Sequence, residues 1–66
     1  MSNQQPLHQI EVLGVKLSEE NYPSVFRWAK NAPENVEESV KKIMEKEGWS
    51  DPNPAFTVLE VDLSHL

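Results

Sequence analysis

The sequence predicts a two-layer α+β fold in the order β-β-α-β: a three-stranded, mostly antiparallel sheet with one helix on one face. Three observations carry that reading. The segment Asn31–Trp49 places Val36, Val40, Ile43 and Met44 on one helical face, spaced i, i+4, i+7, i+8. On either side of it, Gln9–Leu17 and Ala55–Leu63 alternate apolar residues with a period of two, as strands do. A helix with one apolar stripe cannot bury that stripe alone, so a small sheet beside it completes the core.

The first strand is Gln9–Leu17. Ile10 and Val12 alternate on even positions, then Leu13, Val15 and Leu17 on odd ones. The phase slips at Gly14, which predicts a β-bulge, or else a strand apolar on both sides with a glycine packed on a neighbour. Ser18–Pro23 is polar, ends in proline and reads as a turn. Ser24–Ala29 fits two patterns. Phe26 and Trp28 alternate with Val25, Arg27 and Ala29 in strand-loving types. Tyr22, Val25, Phe26 and Ala29 also fit the helical spacing i, i+3, i+4, i+7. The aromatic and β-branched content favours a strand; a helix there gives β-α-α-β instead.

The main helix has its own boundary signals. Asn31 or Ala32 is the cap, Pro33 sits at the first helical position, and Gly48 stops the helix. Glu34, Glu37 and Glu38 come early while Lys41, Lys42 and Lys46 come late, matching the helix dipole. Ser50-Asp51-Pro52-Asn53-Pro54 reads as a turn. In the last strand Thr57, Leu59, Val61 and Leu63 form the predicted core face, and Phe56, Val58, Glu60 and Asp62 the opposite one. A right-handed crossover sets the second and third strands parallel, with the apolar first strand between them.

Sixty-six residues bound the chain to a single small domain, predicted over 9–66 behind a flexible N-terminal tail at 1–8. There is no cysteine, which removes disulfides, thiolate metal sites and cysteine nucleophiles, and fits a reducing compartment. No apolar run has the roughly 20 residues of a membrane span, and the polar start lacks a signal-peptide pattern. The expected location is the cytoplasm. The net charge is −5 with only six Lys and Arg, which argues against direct nucleic-acid binding; the acidity either serves solubility alone or suits a basic protein surface as target.

Chemistry-bearing patterns are sparse. His8 and His65 match no metal spacing. The neighbouring carboxylates of Glu19-Glu20 and Glu37-Glu38 point in different directions, a poor acid/base arrangement. The five serines Ser18, Ser24, Ser39, Ser50 and Ser64 lack a nucleophile context, and two glycines cannot build a phosphate loop. The sequence therefore predicts no enzyme, no cofactor and no metal site. Its candidate site is the sheet face left uncovered by the single helix. That face carries Phe56, Val58, Glu60 and Asp62 with Val25 and Arg27 beside them, and Trp49 at the helix end is a further candidate anchor.

The stretch Phe26-Arg27-Trp28-Ala29-Lys30-Asn31-Ala32-Pro33-Glu34-Asn35-Val36-Glu37-Glu38 resembles the strand-into-helix junction of many small α+β domains. Over Glu11–Leu63 the element order resembles that of small phage-encoded inhibitors of host machinery, the T7-type phage inhibitors of bacterial RNA polymerase among them. The resemblance implies an inhibitor carried by a phage or mobile element; the residues of the uncovered face themselves predict an acidic module that occupies a basic or apolar site on a larger protein, with Phe56 and Val58 as anchors and Glu60 and Asp62 as selectors. The resemblance carries over no functional residue. A homodimer or small subunit using the same face is one alternative. Nucleic-acid mimicry by Glu34, Glu37 and Glu38 is another, opposed by the interspersed Lys41, Lys42 and Lys46.

Overall fold

The computed structural model describes residues 9–65; the predicted tail at 1–8 lies outside the described residues. The elements are β1 (Ile10–Val12), β2 (Val15–Leu17), α1 (Pro23–Asn31), α2 (Pro33–Glu47) and α3 (Pro52–Ser64). The three-stranded sheet with one helix is thus corrected to a two-stranded antiparallel hairpin with three helices.

The hairpin explains the phase slip at Gly14. Ile10 faces Leu17 and Val12 faces Val15, so the register pairs an even position with an odd one. All four side chains then share the inward face, while Glu11 and Lys16 oppose each other on the exposed one. The turn between the strands is Leu13-Gly14, with φ of 51° and 77°. Positive φ at both central residues is what a two-residue type I′ turn requires. Neither a bulge nor a two-sided strand is present; a nine-residue run folds back on itself.

Asn21 ties the end of β2 to the first helix. Its Oδ1 accepts from the Ser18 amide at 2.8 Å, and its Nδ2 donates to the Lys16 carbonyl at 2.8 Å. Helix α1 follows, so the strand reading of Ser24–Ala29 is corrected to helix. Val25, Phe26 and Ala29 are buried and Tyr22 is half-buried, which is the i, i+3, i+4, i+7 stripe. Packing of that stripe outweighs the strand preference of its residue types, a preference that itself depends on context.

Each helix opens on proline: Pro23, Pro33 and Pro52. Proline's fixed φ suits the first helical turn, and its missing N–H would have no intrahelical partner there. Ala32 alone separates α1 from α2. Its amide donates to the Trp28 carbonyl at 2.9 Å, closing α1, and its carbonyl accepts from Asn35 and Val36, opening α2. Pro33 disfavours helical backbone at the residue before it, which forces the break. Helix α2 buries Val36 and Val40 and ends at Gly48, where φ is 75°. Its glutamate–lysine pattern yields a Glu37–Lys41 ion pair at 3.0 Å.

Residues 55–63, expected as the last strand, form α3. Asp51 caps it: the backbone there is extended, and the carboxylate accepts from the Asn53 amide at 3.1 Å. Ala55, Phe56 and Leu59 are buried and Leu63 is half-buried. The predicted core face is corrected accordingly, since Thr57 and Val61 are exposed and Phe56 points inward. The three helices pack on one another, and the hairpin lies against α1 and α2. The core contains Val12, Leu17, Val25, Phe26, Ala29, Val36, Val40, Ala55, Phe56 and Leu59. Among the described residues no polar or charged side chain is buried.

Candidate protein-binding face

Among the described residues there is no three-stranded sheet to leave such a face uncovered, and the residues expected on it are dispersed. Val25 and Phe56 are fully buried, on α1 and α3. Phe56 packs against Tyr22, with ring centroids 5.7 Å apart. Arg27 is exposed and pairs with Glu19 at 3.2 Å. Trp49 is half-buried against the core just past Gly48, where its amide donates to the Met44 carbonyl. Only Val58 and Asp62 stand together at the surface, one helical turn apart on α3.

Glu60 has a structural task. Its carboxylate accepts from the Ser24 amide at 3.2 Å and the Val25 amide at 3.0 Å. These are free donors of the first turn of α1, and the capping residue Tyr22 makes no side-chain hydrogen bond to them. A carboxylate from α3 therefore caps α1 and sits at the positive end of its dipole.

What α3 leaves outward is a different face. At 3.6 residues per turn, Pro54, Thr57, Val58 and Val61 lie opposite the buried Ala55, Phe56 and Leu59. Val58 is 36% exposed and Val61 50% exposed, the large apolar side chains open to solvent among the described residues. No charge lies on this face; Glu60 is turned toward α1 and Asp62 stands at the rim. Helix α2 is the contrast. Its exposed positions include Glu34, Glu38, Lys41, Lys42, Glu45, Lys46 and Glu47.

The helix ends differ too. The last turn of α1 carries Lys30 and that of α2 Lys46, each complementing the dipole. The last turn of α3 has no basic residue and contains Asp62.

Thr57 and Val61 belong to this face although their alternation with Leu59 and Leu63 assigns them to the core. The signal was present in Asp51-Pro52, a cap followed by a first-turn proline, and in the spacing of Ala55, Phe56, Leu59 and Leu63.

Elsewhere, an open depression of about 420 Å³ runs beside α2, lined by Glu34, Asn35, Glu37, Glu38 and Lys41. Among the described residues no cluster of three or more His, Cys, Asp or Glu is placed to hold a metal ion. No described helix is long and apolar enough to cross a membrane. No family model matches the chain, and neither does any curated protein or solved structure.

Proposed function

We propose that this chain is a small acidic protein-binding module that docks on a larger protein through the outer face of α3. One observation supports this above all. On a chain of net charge −5, α3 presents an uncharged face with two open valines. Apolar surface with a polar rim is the ordinary character of an interface core. Inhibition of a host protein, as phage-encoded inhibitors practise it, is one form such a module takes; size and acidity are its support.

The test separates docking from folding. A photo-cross-linking residue is placed at Val61 in one variant and at Lys41 in another, and each is irradiated in lysate of the source cells. The expected result is one stoichiometric partner joined at position 61 and absent at 41. Val58→Asp and Val61→Asp should each lose that partner while keeping the parent circular dichroism spectrum. Retention of the partner by both variants refutes docking through α3.

A further inference from the structure

We infer that the larger protein presents to α3 an apolar surface bearing Lys or Arg at its rim. This rests on the reading of α3 given above and names what α3 would receive. The first argument is area. A stable interface takes roughly 800 Å² from each partner, and two valines at 36% and 50% exposure on one short helix offer a small part of that. Two copies meeting there would bury little apolar surface while bringing together two chains of charge −5. A second copy is therefore a poor occupant, and the contact needs an electrostatic contribution from a partner of opposite sign.

The second argument locates that contribution. A helix C-terminus carries about half a negative charge. Lys30 and Lys46 complement it on α1 and α2, while α3 has neither Lys nor Arg there, places the carboxylate of Asp62 at the same end and is closed by His65. Asp62 is exposed and lies one turn beyond Val58, so the negative end adjoins the apolar face. A Lys or Arg supplied by the partner would do there what Lys30 and Lys46 do on the other two helices. The partner thus combines apolar side chains over Val58 and Val61 with a Lys or Arg beside Asp62.

A defined probe tests this while the natural partner is still unidentified. The ¹⁵N-labelled full chain is titrated with an amphipathic Leu/Lys peptide of about 18 residues, long enough to form helix on docking. A matched Leu/Gln peptide serves as comparison. The expected result is a set of amide shifts centred on Thr57–Ser64, with the Lys peptide about five-fold tighter than the Gln peptide at ~50 mM salt. That advantage should shrink in Asp62→Asn, and Val61→Asp should abolish binding of both peptides. Equal affinity of the two peptides at α3 overturns the basic partner and leaves docking through α3 standing. Shifts centred on Glu34–Glu38 overturn the basic partner as well, by placing the cations on α2. No shift at α3 with either peptide overturns both readings.

Discussion

Replacing Glu60 with alanine should destabilise the chain by about 2 kcal/mol, and the figure follows from the contacts it removes. Glu60 accepts two backbone hydrogen bonds, from Ser24 and Val25, at 3.2 and 3.0 Å. A hydrogen bond to a charged group contributes about 1.5–3 kcal/mol, and a charge at a helix end about 0.3–1 kcal/mol. The two contributions overlap, and Glu60 is half-buried, so water partly replaces what is lost. Tyr22 offers no side chain as a substitute cap. Against a total of about 3–10 kcal/mol for a chain of this size, the loss is large. Urea denaturation followed by circular dichroism would show the midpoint falling with the slope unchanged. Glu60→Gln keeps an acceptor oxygen but loses the charge, and should cost about half as much. Asp62→Ala, two residues away and exposed, should stay within ~0.5 kcal/mol of the parent. An effect of Glu60→Ala no larger than that of Asp62→Ala would refute the cap.

Phe56→Ala removes one of the largest fully buried side chains. It should cost about 3–5 kcal/mol, enough to leave much of the chain unfolded at room temperature by circular dichroism. Gly48→Ala should cost about 1 kcal/mol in the same urea assay, because φ is 75° and nothing lies within 4 Å of an added Cβ, so the penalty is backbone strain alone. Val61→Asp, at a half-exposed helical position, should keep the parent stability within ~0.5 kcal/mol.

The legible part of the fold is α2. Its proline start, glycine stop, apolar stripe and charge gradient all point the same way, and the helix runs Pro33–Glu47. The hairpin was hidden because Leu13-Gly14 lacks the Asn-Gly or Asp-Gly signature of a tight turn. Leucine occupies a positive-φ position that favours asparagine, and its half-buried packing on the core accompanies that departure. In α1 both spacings were visible, and residue type gave the wrong answer between them. Val25 and Phe26 prefer strands as isolated types, yet only helical spacing brings them to the core with Tyr22 and Ala29. The prolines were the better guide. Pro23 reads as the end of a turn and Pro52 as the middle of one, yet each is the first residue of a helix.

Helix α3 misled for the reason that makes it interesting. A surface helix normally concentrates apolar residues on one stripe, but α3 carries them on both sides. Phe56 and Leu59 face inward, while Val58 and Val61 face outward. Apolar residues at 56, 58, 59, 61 and 63 mimic a strand because no polar face interrupts them. The same lack of polarity supports the docking reading. It also divides neighbouring residues between two tasks. Phe56 and Glu60 hold α3 to the core and to α1, so substitutions there report on folding. Val58, Val61 and Asp62 bear on neither the core nor the cap, so substitutions there can report on a partner. An experiment that took Phe56 and Glu60 as contact residues would record a loss of binding caused by unfolding. Docking through α3 can be judged only from variants whose stability matches that of the parent.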